Sequence, residues 1–315
     1  MARQYGVATQ ETDMATKLKA KPPEDVKPGH IKGNLFGASG SGKTYFALSF
    51  PKPYYIDTEG GADLAHYMER LKRSGGSYLG PQDGACDFDT ILSQIQALAT
   101  EKHGYKTLVI DSVTKVFQAC IAKEAERLGD KDAFGASKKP AIAYMRRLVA
   151  WVARLDMNVW FISHETTEWG TIGGNRQEIG KTADAWDKLV YELDLTLQVQ
   201  KHNKGFRTAT VTKSRLLGFP DGDRFPLQQE GNDVGYTEFA TRYGKDFIEG
   251  DAVPIVLASA EQVSAIKAYL EVLKLSEEEV SKILTRANAD AWEELTEDQA
   301  SKAIEWFKKK AEVTK

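Results

Sequence analysis

The residues best suited to chemistry form one short run near the start of the chain. The run fits the pattern G-x-x-x-x-G-K-T, whose glycines let the backbone curl until successive N–H groups point at phosphate oxygens. A helix directly after such a loop adds its positive end. Lys43 is expected to reach the β- and γ-phosphates of ATP, and the Thr44 hydroxyl to coordinate Mg²⁺. The predicted phosphate-binding loop (P-loop) consists of Gly37, Ala38, Ser39, Gly40, Ser41, Gly42, Lys43 and Thr44.

Two carboxylates follow at positions where the ends of buried strands would place them. Asp111 ends an apolar run at residues 108–110, and ligands of open α/β sheets bind at the carboxyl edge of the strands. We therefore expect Asp111 to hold Mg²⁺ through a water molecule. Glu59 follows the run at residues 54–57, where a carboxylate can orient the water that attacks a γ-phosphate. By position alone, a solvated loop acid is an equal alternative for Glu59.

These residues need a scaffold of strands and helices, and the hydrophobic pattern provides one from residue 30 onward. Short apolar runs predict strands at residues 31–36, 53–57, 107–111 and 158–163, and amphipathic stretches predict helices at 43–50, 62–73, 89–100, 112–128 and 141–155. Apolar alternation at 193–199 and a β-like run at 206–212 predict a half-exposed hairpin that finishes the sheet. The predicted fold is α/β, with a mostly parallel twisted sheet flanked by helices.

Composition divides the chain into three predicted regions. Residues 1–29 are polar and proline-containing, which favours a flexible N-terminal arm, and residues 30–254 form the ATPase core. Residues 259–312 read as a small helical C-terminal module with apolar residues at helical spacing. Three capping boxes mark its helix starts: Ser259 with Gln262, Ser276 with Glu279, and Thr296 with Gln299.

Bulk properties exclude several functional classes. The formal net charge of −3 gives no overall attraction to nucleic acid, so a binder of DNA would need local basic patches. Cys86 and Cys120 are far apart, which argues against a zinc site or a disulfide framework and fits a reducing compartment. No apolar run approaches the length of a membrane span or a signal-peptide core. We expect a cytoplasmic protein.

Three motifs in sequence order resemble the RecA/RadA recombinase superfamily. After the P-loop come Ile56-Asp57-Thr58-Glu59-Gly60 and Val109-Ile110-Asp111-Ser112-Val113. The resemblance covers roughly residues 30 to 230 and is closest to the short RecA-like ATPases of bacteriophages, which work with single-strand annealing. It implies a RecA-type core, Glu59 as the catalytic base and, for a phage-encoded protein, the host cytoplasm.

The resemblance extends to further site residues. His164 follows the strand at 158–163, where the family places a polar side chain that senses the γ-phosphate and connects to a DNA-binding loop. Lys213 and Arg215 match a pair of family cations, usually two lysines, that cross a subunit interface to the neighbour's γ-phosphate. Such a pair implies a head-to-tail oligomer, either ring or filament. A basic strand end is the alternative for the two cations.

Two polar segments correspond to the DNA-binding loops of that family. Residues 129–140 contain Lys131, Lys138 and Lys139, and residues 165–186 contain Trp169, Arg176 and Lys181. Cations with an aromatic side chain suit single-stranded DNA, because phosphates need charge and bases need a stacking face. Two solvated surface loops are an equally good interpretation.

Three functions remain open from the sequence. The first is an ATP-dependent recombinase or annealing ATPase that binds single-stranded DNA. The second is a RecA-fold helicase or loader motor. The third is a nucleotide-gated binding protein with little turnover, whose C-terminal helices contact a partner such as a single-strand-binding or annealing protein. Glu59 favours the enzymatic readings, because a pure binding switch needs no base beside the γ-phosphate.

Overall fold

The computed structural model describes residues 22–23, 29–61, 64–133 and 135–313. Apart from Pro22, Pro23 and Gly29, the predicted N-terminal arm lies outside these residues. Within them, one sheet contains ten strands. They are β1 (Lys32–Phe36), β2 (Pro53–Asp57), β3 (Ser77–Leu79), β4 (Thr107–Asp111), β5 (Asn158–Ile172), β6 (Asn175–Asp184), β7 (Leu195–Lys201), β8 (Arg207–Ser214), β9 (Arg224–Gln229) and β10 (Asn232–Asp233).

Helices cover both faces of this sheet and continue beyond it. They are α1 (Lys43–Ala47), α2 (Ala65–Ser74), α3 (Phe88–Thr100), α4 (Val113–Leu128), α5 (Lys138–Arg154), α6 (Leu189–Glu192), α7 (Gly235–Tyr243), α8 (Lys245–Ile248), α9 (Ala260–Leu273), α10 (Glu277–Arg286) and α11 (Glu297–Val313). Across the part of the chain that is described, no helix combines the length and apolarity needed to cross a membrane.

The strand order places the predicted site residues along one edge. The order is β10-β9-β8-β7-β1-β5-β4-β2-β3, and the run from β7 to β3 is parallel throughout. The carboxyl ends of β1, β5, β4 and β2 therefore lie side by side. The mostly parallel α/β fold predicted from the sequence is confirmed.

Burial on both faces explains why the central strands are apolar runs. All five residues of β4 are buried, and so are the first six of β5. Leu108 and Ile110 pack with α3, α4 and α5, whereas Val109 and Trp160 pack on the opposite face with α1 and α7. Parallel strands covered by helices on both sides need such continuous hydrophobic sequence.

An aromatic cluster fixes the helix that carries the P-loop residues. The ring centroid of Phe50, just after α1, lies 5.3 Å from that of Trp160 and 5.2 Å from that of Phe239. Trp160 in turn lies over Gly33 of β1, where a Cβ atom would approach its ring to 2.2 Å. Any larger residue at Gly33 would displace Trp160, and with it the packing that positions α1.

The hairpin at β7 and β8 does not finish the sheet, contrary to the prediction. Strand β9 adds to β8 and carries buried Phe225 and Leu227 in strict alternation with less buried residues. Pro226 between them is tolerated because the strand lies near the edge of the sheet. Sequence reasoning missed this six-residue strand because a proline within a short run weakens the signal for a strand.

The segment at 165–186 was predicted as a loop, but most of it forms an antiparallel hairpin. Strand β5 continues past the end of β1 and β4 and pairs with β6 from His164 to Ile172. Gly173 and Gly174 form the turn with φ of 59° and 82°, as a two-residue type I′ hairpin turn requires. At about 3.3 Å per residue the hairpin projects roughly 25 to 30 Å from the sheet edge. Sequence reasoning missed the Gly-Gly hairpin turn because the polar residues on either side of it give no indication of strands.

The last three helices enclose a hydrophobic cluster of their own. Ile266, Leu295 and Phe307 are almost completely buried in it. The three capping boxes predicted from the sequence are present at the starts of α9, α10 and α11. The division of the chain into a core at 30–254 and a module at 259–312 stays a prediction.

Candidate functional site

The P-loop leaves the carboxyl end of β1 and curls over the start of α1. Gly37, Gly40 and Gly42 have φ of 149°, 71° and 107°, which favour glycine at all three positions. A Cβ atom at Gly37 would meet the Val199 carbonyl oxygen at 2.2 Å. The Lys43 ammonium donates to the carbonyl oxygens of Gly37 and Ala38 at 2.7 and 3.0 Å. The loop borders a cavity of about 650 Å³.

The cavity gathers the predicted residues from four strand ends. Glu59, Asp111 and His164 line it together with Lys43 and Thr44. Of the remaining P-loop residues, Gly37 to Gly40 also line it, whereas Ser41, which is buried, and Gly42 do not. Residues separated by more than 100 positions in the sequence thus meet at one sheet edge because their strands are parallel neighbours.

Asp111 and Thr44 form the acidic end of the cavity. The Thr44 hydroxyl donates to Asp111 Oδ2 at 2.6 Å, and the Tyr55 hydroxyl donates to the same oxygen at 3.2 Å. Burial raises the pKa of Asp111 from 3.8 to about 6, and the hydrogen bond from Thr44 opposes this shift only in part. A carboxylate so confined binds a cation readily, because the cation removes the cost of burying its charge.

Glu59 is held by two neighbours at the mouth of the cavity. Its Oε1 accepts a hydrogen bond from the Ser112 hydroxyl at 2.5 Å and contacts His164 Nε2, also at 2.5 Å. Burial pushes the pKa of Glu59 upward, but the hydrogen bonds from Ser112 and His164 outweigh burial and lower it. Glu59 is therefore an ionised acceptor near neutral pH, the state that a general base requires.

Sequence reasoning missed the residues that orient Glu59. Asp57 lies opposite Asp111 in register and accepts hydrogen bonds from the backbone N–H groups of Glu59 and Gly60, both at 3.0 Å. The Tyr78 hydroxyl donates to its other carboxylate oxygen at 3.1 Å. An Asp that bonds backbone groups two and three residues later forms an Asx turn, which is the signal that could have found it.

The residues present fit a nucleotide with Mg²⁺. Among the described residues, no three His, Cys, Asp or Glu side chains cluster as a protein-only metal site would require. Magnesium at phosphate sites instead takes one or two protein ligands and completes its shell with water and phosphate oxygens. Thr44 and Asp111 supply such a pair of oxygens. Bound there, the ion would neutralise charge on the phosphates.

A family model described as an AAA domain matches residues 30–225. The chain belongs to this family of P-loop ATPase domains. A comparison with curated proteins finds no match. The AAA domain includes the P-loop, Glu59, Asp111 and His164, and it extends into β9. The three C-terminal helices lie beyond the matched range.

The projecting hairpin of the AAA domain brings three predicted DNA-binding residues to one face. In its ladder Thr167 pairs with Lys181, Trp169 with Glu178 and Thr171 with Arg176. Residues that pair across the strands share a face, and a register shift between Glu168 and Trp169 keeps Lys181 on the face of Arg176. The Arg176 guanidinium lies 5.0 Å from the centre of the Trp169 ring, and Lys181 forms an ion pair with Glu178 at 2.6 Å. Trp169 is 53 % exposed, which leaves much of its surface open to a ligand.

The other predicted DNA-binding segment begins with a 3₁₀ turn at Gly129–Lys131 and ends in the first three residues of α5, and its described residues in between lie outside helices and strands. Lys138 and Lys139 lie in the first turn of α5, which begins three residues earlier than predicted, and Lys131 ends a short 3₁₀ turn. All three lysines are exposed. The Lys138 ammonium lies 3.9 Å from the carboxylate of Asp187, just after the hairpin, so the two segments are neighbours.

Lys213 and Arg215 lie far from the P-loop of the same chain. Lys213 pairs with Thr196 of β7, and Thr196 is opposite Asn34 of β1. The P-loop begins three residues after Asn34, about 10 Å along the strand, and β8 lies two strands away from β1. Lys213 donates to the Leu193 carbonyl and Arg215 to the Tyr191 carbonyl, so both cations point to the same segment. A contact with a nucleotide would have to be made in another subunit.

Proposed function

We propose that this protein is a RecA-type ATPase that binds single-stranded DNA and acts as a recombinase or annealing factor. ATP and Mg²⁺ bind at the P-loop, Thr44 and Asp111. Glu59 activates the water that attacks the γ-phosphate, and Lys43 stabilises charge that develops on the phosphates. DNA contacts the hairpin face with Trp169.

The observation that carries this proposal is the 2.5 Å contact between Glu59 Oε1 and His164 Nε2. His164 is the first hairpin residue of β5, so the proposed base touches the element that projects from the sheet. A structural acid at the cavity mouth would have no need of this connection. The contact offers a direct route by which a ligand on the hairpin changes hydrolysis.

The exposed face of the hairpin suits single-stranded DNA better than duplex. A base can stack on the exposed ring of Trp169, and Arg176 and Lys181 flank that ring on the same face. Between residues 165 and 184, however, four carboxylates outnumber two cations. Affinity is therefore expected to come largely from stacking, with a shallow dependence on salt.

The proposed assembly is a head-to-tail ring or filament. Lys213 and Arg215 lie at the end of the sheet opposite the P-loop, where they can meet the nucleotide of a neighbouring subunit. In a head-to-tail arrangement one surface of each subunit contacts a different surface of the next. ATP would then stabilise assembly because its phosphates bridge the two subunits.

The deciding measurement is steady-state ATP hydrolysis with no DNA, with single-stranded DNA and with duplex DNA. Stimulation by single strands but not by duplex is the expected result, and Lys43→Ala is the control that removes nucleotide binding or turnover. Hydrolysis that is indifferent to DNA would contradict the DNA-dependent part of the proposal. ATP-driven separation of a forked duplex would favour a helicase motor instead.

A second candidate is a nucleotide-gated partner protein with little turnover. It is favoured by the excess of acid on the hairpin and by apolar surface on the C-terminal helices. Val272 and Trp306 there are 68 % and 47 % exposed. A single-strand-binding or annealing protein is the proposed partner of these helices. Absent hydrolysis, together with ATP-dependent capture of such a protein, would support this candidate.

A further inference from the structure

One buried hydroxyl joins the two strands of the hairpin where it leaves the sheet. Thr114 Oγ1 accepts a hydrogen bond from the backbone N–H of His164 at 2.9 Å and donates to the carbonyl of Asp184. His164 and Asp184 are opposite each other in β5 and β6. Thr114 is only 2 % exposed, so water does not readily replace either bond.

The start of α4 also carries a hydrogen-bond donor to Glu59. Ser112 caps this helix by accepting a hydrogen bond from the Lys115 N–H at 3.3 Å, and its hydroxyl donates to Glu59 at 2.5 Å. Thr114 lies two residues later. The start of α4 thus holds the hairpin with one side chain and the proposed base with another.

His164 completes a closed set of contacts. Its backbone bonds to Thr114, and its ring bonds to Glu59, which Ser112 ties back to α4. A shift of the hairpin base relative to α4 would leave the His164 N–H or the Asp184 carbonyl buried without a partner. The hairpin base therefore has few positions available, and moving between them must move the His164 ring against Glu59.

We propose that Thr114 is a positioning residue that couples the position of the hairpin to the orientation of Glu59. This inference rests on the proposed function, since it takes Glu59 as the base and the hairpin as the DNA-binding element. Threonine suits the role because its branched Cβ restricts rotation about χ1 and keeps the hydroxyl aimed at both strands. Without the hydroxyl the base of the hairpin is no longer tied to α4, and DNA bound on the hairpin no longer sets the position of the His164 ring against Glu59.

The test compares the DNA stimulation of ATP hydrolysis in wild-type protein and in Thr114→Val, which keeps the shape of the side chain. In the wild type, single-stranded DNA should raise the rate of ATP hydrolysis by at least about fivefold, and in the variant this ratio of rates should fall to about one. Its KM for ATP should stay within about twofold, because Thr114 does not line the nucleotide cavity. Thr114→Ser restores the hydroxyl and should restore stimulation. Thr166→Val, at an exposed hairpin position, is the matched control and should keep wild-type stimulation.

Two failures are distinguishable. A Thr114→Val variant that retains the wild-type stimulation factor overturns the inference and leaves the proposed function standing. A wild-type protein that DNA does not stimulate removes the DNA-dependent function, and the inference falls with it.

Amide hydrogen exchange on the wild-type protein tests the coupling without any variant. The His164 amide should exchange slowly, and single-stranded DNA should change its exchange rate by at least about fivefold. An exchange rate that DNA leaves unaltered also overturns the inference.

Discussion

Replacing Asp111 with asparagine is expected to stabilise the protein in the absence of nucleotide and Mg²⁺, and more so at alkaline than at acidic pH. Asp111 is 9 % exposed and keeps a negative charge near Asp57 and Glu59. Burial is the main reason that its pKa is raised from 3.8 to about 6. Asparagine has nearly the same shape and can still accept hydrogen bonds from Thr44 and Tyr55, but it carries no charge to bury.

The magnitude follows from this difference in pKa. In the unfolded chain Asp111 loses its proton near pH 3.8, whereas in the folded protein it keeps the proton until about pH 6. The wild-type free energy of unfolding therefore falls as pH rises through this window, and the loss is complete above it. At about 1.4 kcal/mol per pKa unit, the full difference is about 3 kcal/mol. The melting temperature of the Asp111→Asn variant should therefore lie roughly 5 °C above that of the wild type.

Urea unfolding of both proteins in a chelating buffer measures this effect. The stability advantage of Asp111→Asn should be about 1 to 2 kcal/mol larger at about pH 8 than at about pH 5. Asp57→Asn is the matched control. The Asp57 carboxylate accepts three hydrogen bonds, from the N–H groups of Glu59 and Gly60 and from Tyr78, so its replacement should destabilise the protein. The reasoning would be refuted if the Asp111→Asn variant were no more stable than wild type at about pH 8, or if its gain in free energy of unfolding did not change with pH.

Three further predictions test other parts of the molecule. Glu59→Gln should lower the rate of ATP hydrolysis by about 100-fold or more while ATP still binds, and a wild-type rate would rule out Glu59 as the base. Lys213→Ala should reduce ATP-dependent assembly in sedimentation, with Lys201→Ala on the neighbouring strand as the control, and equal assembly of both variants would exclude an interface role. Glu294→Ala should lower the free energy of unfolding by about 1 to 3 kcal/mol, because it leaves Arg147, now bonded to Glu294 at 2.8 Å, with one carboxylate fewer. Urea unfolding that matches wild type would show that this contact contributes nothing to stability.

Much of the core follows from local sequence. The P-loop pattern needs only neighbouring residues, since its glycines and the helix after them create the phosphate site in place. Strands β2 and β4 begin and end where they were predicted, because strands buried on both faces are unbroken apolar runs. The capping boxes could also be predicted from the sequence, since each depends on two residues three positions apart.

Long-range pairing explains what sequence reasoning missed. Nothing near residue 114 in the sequence indicates that its hydroxyl will bond both strands of a hairpin some 50 and 70 residues later. The bonds of Glu59 with Ser112 and His164 likewise depend on the order of strands β2, β4 and β5 in the sheet. The hairpin itself was hidden because its polar, β-branched residues pair outside the core, where burial leaves no hydrophobic alternation to detect.

The sequence by itself therefore indicated the P-loop and the bounds of strands β2 and β4, because both depend on neighbouring residues. Only the tertiary structure decided that Glu59 is tied to a projecting hairpin through His164 and Thr114, and that Lys213 and Arg215 lie too far along the sheet to reach their own P-loop. Those relations are set by strand order and register, which arise from burying both faces of one sheet and not from any local pattern.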